Sequence, residues 1–586
     1  MSNLINLYNL LLRVNPVRGF IVCLLVLSIL LLNSVNFKDF AVNSSIWFDD
    51  ADARVLDVSP PRDFAVNSSI RTDVADVSVL DVSPPKDLGR EDDPLPSFVK
   101  HKKRLHSSGI KHDVNKLLNG LISSKFVADS CLSKQQITSY RKVLPYKPSS
   151  YLISKLRRYE ALHKRCGPYT KSYNRTVAKL KSGKRTKVSD CKYLVLELFS
   201  GLGNRIMSLV SAFLYAMLTD RVLLVGRGVD LVDLFCEPFP ESSWILPQNF
   251  PLFDQIKRFN QQSPECFGNM LKMSNKSSSS TSSLYVYLHL THSYNNHDKL
   301  FFCDQHQTFL QNVSWVIMKS NQYFAPSLFL MPSFEQELHS LFPDKETVFH
   351  FLGTYLLFPS NPVWGLITKY YNSHLARADE RIGIQVRVLH NSDHYLNYFL
   401  DLILTCSVNN NLLPKINPNE SLKHSKTEIR SQKAVLLTSL SSFFSAKIRE
   451  MYMKHSTLSG EVIKVFQPSQ EQQQLKGNKI HDMKAWAEMY LLSLCDKLIT
   501  SSGSTFGYVA QSIGGLKPWI LYKPKKGKTQ NPACVRAISN EPCFHYPPYF
   551  DCKQRIRTDT GLVVPHVRHC EDRSHGLKLV NPNVKT

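Results

Sequence analysis

Three stretches of the chain carry residue types suited to holding an anion or a sugar. The first is Ser200-Gly201-Leu202-Gly203-Asn204-Arg205, directly after an apolar run. A dinucleotide fingerprint would need a third glycine at 206, where the chain has Ile206, and an acidic residue about 20 positions further on. What remains is a tight turn that aims backbone N–H groups, Asn204 and Arg205 at a phosphate or a sugar hydroxyl. The plainer reading is an ordinary turn with a solvated Arg205. The second candidate is Arg387, at the end of Ile382-Gly383-Ile384-Gln385-Val386. Its planar fork can take a pyrophosphate bidentately and offset leaving-group charge; an internal ion pair with Asp379 or Glu380 is the competing reading. The third, Ser502-Gly503-Ser504-Thr505-Phe506-Gly507, places hydroxyls and N–H groups at a helix start, an anion site or a simple cap. The globular part has no Asp-x-Asp pair for Mg²⁺ or Mn²⁺, since Asp50 and Asp52 lie in an acidic N-terminal stretch. Arginines and helix dipoles are therefore expected to stabilise a departing anion without a metal. Zinc held by Cys534, Cys543 and Cys552 with His545 or His569 lacks the short ligand pairs such sites use.

Those loops need strands and helices to hold them. Residues 193–199 read as a strand, 206–218 as a helix and 221–225 as a second strand, a βαβ unit whose first turn is the glycine stretch. The alternation returns with strands at 382–388, 435–437 and 462–466 and a helix at 484–494. A strand at 498–500, a helix from Gly507 and a strand at 519–522 follow. The pattern predicts an α/β protein with two Rossmann-like lobes, 113–380 and 381–586, facing a cleft where ligands meet strand carboxyl ends. A basic helical segment at 113–180 precedes the first strand, and 274–283 is a Ser/Thr-rich surface loop.

With 586 residues, 43% of them hydrophobic, the chain has room for two or three lobes and is too apolar to be disordered as a whole. Its net charge of +24 is uneven: residues 39–93 hold 13 acids and 5 bases, residues 100–187 hold 23 bases and 3 acids. Such a band suits nucleic acid, anionic polysaccharide, lipid or a phosphorylated ligand. Residues 19–32 form a long apolar run behind Arg13 and Arg18. The flanks predict a cytoplasmic tail at 1–18, an uncleaved signal-anchor helix at 19–35 and a lumenal remainder. A cleaved signal peptide competes, but residues 33–36 lack a small-x-small site. Residues 36–112 read as a stem holding a duplication: Asp39 to Ile46 returns as Asp63 to Ile70, and Leu56 to Pro61 as Leu80 to Pro85. Beyond Cys23 there are twelve cysteines, an even set without C-x-x-C pairs, which predicts disulfides in an oxidising lumen. Six sequons, at Asn43, Asn67, Asn174, Asn275, Asn312 and Asn419, agree with that compartment. A lumenal body also argues against a nucleic-acid partner.

The loops and their surroundings resemble the plant cell-wall fucosyltransferases of glycosyltransferase family 37, which include xyloglucan α-1,2-fucosyltransferase. The resemblance spans about 113–586. It is carried by Phe199 to Arg205, Thr219 to Val225, Leu234 to Pro240, Val363 to Leu366, Ile382 to Arg387, Ala487 to Leu494, Ser504 to Gln511, Glu541 to His545 and Pro565 to Asp572. It implies a variant GT-B fold and a single-pass type II Golgi membrane enzyme. The reaction implied moves L-fucose from GDP-β-L-fucose, with inversion and without a metal, to a cell-wall glycan. Xyloglucan and arabinogalactan side chains are both open as acceptors, and so is homodimerisation. The resemblance puts Arg387 on the diphosphate, Gly201, Gly203, Asn204 and Arg205 on the glycine-loop motif, and Ser504, Thr505, Phe506 and Gly507 on the nucleotide-side loop. Departures are Ser320-Asn321-Gln322, where such enzymes carry an acidic Thr-Asp-Asn, and Ser502-Gly503 in place of Ala-Trp. After Arg387, Val388-Leu389-His390-Asn391 replaces a more acidic stretch. An amide is not a carboxylate base, and neither His390 nor His394 is placed near an acceptor, so the base stays unassigned. Asn321, Ser502 and Gly503 motivate a second reading, a non-catalytic Golgi glycan-binding or scaffolding protein. Polyanion binding by the basic band is a third, although the band reads mainly as a solvated helical face.

Overall fold

Along the first strand, Tyr193 and Val195 face one way and Leu194 and Leu196 the other, and all four are buried. A strand apolar on both faces belongs inside a parallel sheet covered on both sides. The computed structural model describes residues 118–583 except 124–129, 142–145, 184–190, 227–230, 275–283, 389–391, 422–430, 476, 524–530 and 553–556. The anchor, the stem and the sequons at Asn43, Asn67 and Asn275 lie outside the described residues, as does His390. Among the described residues no helix is long and apolar enough to cross a membrane.

Strands β1 (Lys192–Leu198), β2 (Arg221–Val225), β3 (Tyr285–Leu290) and β4 (Trp315–Ser320) form a parallel sheet in the order β2-β1-β4-β3. A second sheet holds β5 (Glu380–Gln385), β6 (Gln432–Thr438), β7 (Val462–Phe466), β8 (Lys497–Ser501), β9 (Trp519–Leu521) and β10 (Cys534–Arg536). Its order is β10-β9-β8-β5-β6-β7, with only the β10 edge antiparallel. One core cluster joins Leu194 and Leu196 of the first sheet to Ala434, Leu436 and Leu498 of the second. Helices α1 (Ser150–Cys166), α2 (Lys171–Ser182), α3 (Leu202–Leu218), α4 (Val348–Leu356), α5 (Lys479–Ser493) and α6 (Thr505–Gly514) frame the sheets. Helices α3 to α6 all contribute to that shared core, through residues such as Phe213, Phe349, Trp486 and Tyr508. Gly383 lets α5 press on β5, because a Cβ there would stand 2.9 Å from both Leu492 and Leu498 side chains.

The expected strand at 382–388 stops at Gln385. Beyond it the Arg387 N–H donates to Ser501 Oγ at 2.9 Å, leaving the strand-to-strand ladder. Helix α5 starts at Lys479, earlier than expected, because the Asn478 side chain accepts from the His481 N–H and caps it. Of the twelve cysteines, ten pair: Cys131–Cys236, Cys166–Cys191, Cys303–Cys552, Cys406–Cys534 and Cys543–Cys570. Cys266 and Cys495 remain thiols, correcting the expectation of a fully bridged set. Both are buried; Cys266 Sγ sits 3.4 Å from Asp298 Oδ1, and burial with that carboxylate pushes the thiol up to about 12. The bridges also remove Cys534, Cys543 and Cys552 from any zinc site. Cys543, Cys570 and Asp572 do converge, but the two sulfurs are bonded to each other and offer no thiolate. Three cations of the described basic band are paired within the body: Lys155 with Asp220 and Glu337, Arg157 with Glu160, and Lys164 with Glu241.

Candidate active site

Both glycine-bearing loops stand where a strand ends and a helix begins. After β1, Ser200 turns with φ of 76° and Gly201 takes the N-cap position of α3 with no side chain to cap it. After β8, Gly503 turns at φ 67° and Ser504 caps α6 without a side-chain hydrogen bond. The two helix starts touch. A Cβ on Gly203 would lie 2.6 Å from Thr505 Oγ1 and 2.8 Å from its carbonyl carbon, so only glycine permits the approach. Asn204 crosses the contact, accepting from Thr505 Oγ1 at 2.9 Å and donating to the Asn321 carbonyl at 3.2 Å. A Cβ on Gly507 would meet Thr500 Cγ2 at 2.9 Å, so this glycine seats α6 on β8. Phe506 is half-buried against the shared core. Two helix N-termini brought together present partial positive charge and unsatisfied N–H groups, an arrangement that favours an anion.

Cations gather beside this point. Asp379 accepts from the Gln432 N–H, and Glu380 pairs with Lys433 and Lys497, so neither takes the ion pair once set against Arg387. Arg387 is half-buried just past the carboxyl end of β5, the central strand beside β8. Enclosure of its ring and the positive charges of Arg573, Lys523 and Arg387 hold His545 down to about 3. Three cations are therefore within electrostatic reach of one imidazole. Arg573 flanks the second loop: its Nε is 3.8 Å from where a Gly503 Cβ would be, and is buried with no partner among the described residues. Asp572 ties the loop down, accepting from the Gly503 N–H and the Tyr508 hydroxyl, each at 2.7 Å. Tyr508 in turn stands 3.3 Å from His545 Nε2. Ser504 Oγ is buried without a partner among the described residues. A buried hydroxyl, an uncapped helix start and nearby guanidinium groups are the parts from which an anion cradle, suited to a diphosphate, could be built.

Of the residues singled out by motif, the structure brings Gly203, Asn204 and Thr505 into direct contact, holds Gly201, Ser504, Phe506 and Gly507 on the same two loops, and sets Arg387 just past the end of β5. It takes Arg205 elsewhere. Arg205 is buried and its Nη2 donates to Asp482 Oδ2 at 2.6 Å, so it braces α3 against α5, neither solvated nor turned to a ligand. Asn174 and Asn312 are exposed, as sequon use requires, while Asn419 lies on a strand whose side chain there is not described. His394 is exposed at the start of helix Asp393–Asn409. Reasoning from motifs missed Asp572, Arg573 and His292. The signals for the first two were the Pro565–Asp572 block, which ends on Asp572 without giving it a role, and the charged Glu571-Asp572-Arg573 run; His292 carried none.

Two Rossmann-like sheets with an anion cradle at their carboxyl ends have the form of a GT-B-like glycosyltransferase. Comparison with known proteins narrows this. A family profile described as xyloglucan fucosyltransferase matches residues 97–553. The chain is 58% identical over 467 residues to a Pisum sativum galactoside 2-alpha-L-fucosyltransferase, covering 80% of this chain and 82% of that one. An Arabidopsis thaliana protein of the same name is 54% identical, covering 80% and 83%. An Arabidopsis thaliana FUT1 variant solved in complex with GDP superposes with a TM-score of 0.75 at 53% identity, over 79% of this chain and 100% of that one. The chain belongs to the xyloglucan fucosyltransferase family and is a fucosyltransferase.

Proposed function

We propose that this enzyme transfers L-fucose from GDP-β-L-fucose to the 2-hydroxyl of a terminal sugar on a cell-wall glycan, a xyloglucan or arabinogalactan side chain, with inversion. The observation that carries the reading is the cradle at the start of α6. Unpartnered Ser504 Oγ, the helix N–H groups, Arg573 and Arg387 supply what a departing GDP diphosphate needs. The names of the 58% and 54% identical relatives and the GDP in the FUT1 complex support the donor and the linkage. The family resemblance and the apolar run at 19–32 behind Arg13 and Arg18 support a type II Golgi membrane enzyme with its body in the lumen.

The test is transfer from labelled GDP-fucose by the full-length chain in membranes, with galactose-terminated xyloglucan and arabinogalactan acceptors in separate reactions. Label should enter one acceptor and be lost with Arg387→Ala. GDP binding without transfer to either acceptor would instead favour the non-catalytic glycan-binding reading.

A further inference from the structure

His292 lies two residues past the carboxyl end of β3, and Asn321 one residue past the end of the adjacent β4, where Leu290 and Ser320 pair in register. Ligands of parallel sheets sit at these ends. The Asn321 side chain is buried, and its Oδ1 accepts from the His292 N–H at 3.0 Å and from Gln322 Nε2 at 3.0 Å. Two donors on the oxygen fix which way the amide faces, and its Nδ2 stands 2.9 Å from His292 Nδ1. An amide nitrogen only donates, so Nδ1 must accept and the ring proton resides on Nε2. His292 is half-buried, and its Nε2 makes no hydrogen bond among the described residues. The ring stands 6.2 Å from that of Tyr546, over which Arg573 lies at 5.7 Å. Hydrogen bonds run from His292 through Asn321 and Asn204 to Thr505, at the start of the diphosphate cradle.

We propose that His292 is an acceptor-positioning residue, presenting Nε2–H to a hydroxyl oxygen of the acceptor sugar with its tautomer locked by Asn321. The proposal rests on the transfer reading above. A neutral donor suits a neutral hydroxyl, while the anionic donor substrate is met by the cations of the opposite lobe. With its proton on Nε2 and Nδ1 occupied, this ring orients the acceptor and does not deprotonate it.

The two nitrogens separate in their substitutes. Glutamine reproduces a donor at the Nε2 position, whereas asparagine keeps an acceptor for Asn321 and lacks the outward donor. In the full-length enzyme with GDP-fucose and a galactose-terminated xyloglucan oligosaccharide, His292→Ala and His292→Asn should each lower acceptor kcat/KM about tenfold. His292→Gln should recover most of that loss, and the KM for GDP-fucose should stay within about twofold throughout. The ¹⁵N spectrum of histidine-labelled enzyme, less that of His292→Gln, should show the Nε2–H tautomer. Rescue by asparagine and not by glutamine would mark a purely structural role for His292. An Nδ1–H tautomer, or an unchanged His292→Ala, would equally overturn the proposal while leaving transfer itself intact. A wild-type enzyme that transfers to no acceptor would sink the transfer reading, and this proposal with it.

Discussion

The loop after β1 and the loop after β8 share a plan, a glycine turn feeding an uncapped helix, yet they differ in what happens to their polar groups. In the first, Arg205 is tied to Asp482 through Nη2, although its Nε is buried without a partner among the described residues, and Asn204 is satisfied on both sides by Thr505 and Asn321. In the second, Ser504 Oγ and the neighbouring Arg573 Nε are buried and unsatisfied among the described residues. Burying an unpaired polar group costs about 1–3 kcal/mol, a cost that a ligand completing its hydrogen bond would offset. The first loop is a clasp between the lobes, and the second offers the groups that a ligand cradle would use. What distinguishes them is that the guanidinium of the first is fixed by the Asp482 carboxylate, whereas Ser504 Oγ and the neighbouring Arg573 Nε of the second have no such partner among the described residues, which residue type alone does not report.

The contrast can be broken most forcefully at the two arginines. Arg205→Ala leaves the Asp482 carboxylate buried without its partner, and a loss of about 3–5 kcal/mol in stability is expected. It should appear as a lower Tm, largely recovered when Asp482 is changed to leucine together with Arg205. Arg387→Ala should do the reverse. Its Tm should stay near that of the wild type, while kcat falls about 10²–10³-fold, as for loss of one donor to a developing anion. If Arg205→Ala kept its stability and lost turnover instead, the clasp assignment would fail.

Gly203→Ala comes next in size. The added Cβ meets Thr505 backbone, which has little room to yield, so overpacking of about 1–3 kcal/mol is expected. Because the strain falls on the contact between the two helix starts, GDP affinity and Tm should drop together, unlike either arginine variant. Isothermal titration beside thermal unfolding checks this.

The legible part of the molecule was what periodicity encodes. Alternating buried residues such as Tyr193/Val195 and Leu194/Leu196, and the turns at Ser200–Gly203 and Gly503–Gly507, were readable locally. Arg387 at a strand end was readable too. That Asp379 and Glu380 are engaged elsewhere was not, because that depends on Gln432, Lys433 and Lys497 reaching those carboxylates from other elements. Arg205 was misread for the same reason, since Asp482 lies 277 positions away. His292 and Arg573 stand in no motif, Asp572 only closes the Pro565–Asp572 block, and all three gain meaning only from tertiary contacts. The even cysteine count suggested complete pairing, and burial of Cys266 and Cys495 in separate places prevented it.

The smallest effect is the most discriminating. Ser504→Ala removes a buried hydroxyl that has no partner among the described residues, so the free enzyme loses no hydrogen bond and sheds an unsatisfied group. Its Tm should hold or rise slightly. If that hydroxyl completes the cradle, GDP should bind about 2–10-fold more weakly, the value of one neutral hydrogen bond. A variant that is at least as stable and yet binds GDP less well would separate the second loop from the first, where every polar substitution should cost stability before affinity. Wild-type GDP affinity in Ser504→Ala would remove the hydroxyl from the cradle and leave the diphosphate to the α6 N–H groups and the guanidinium groups of Arg387 and Arg573.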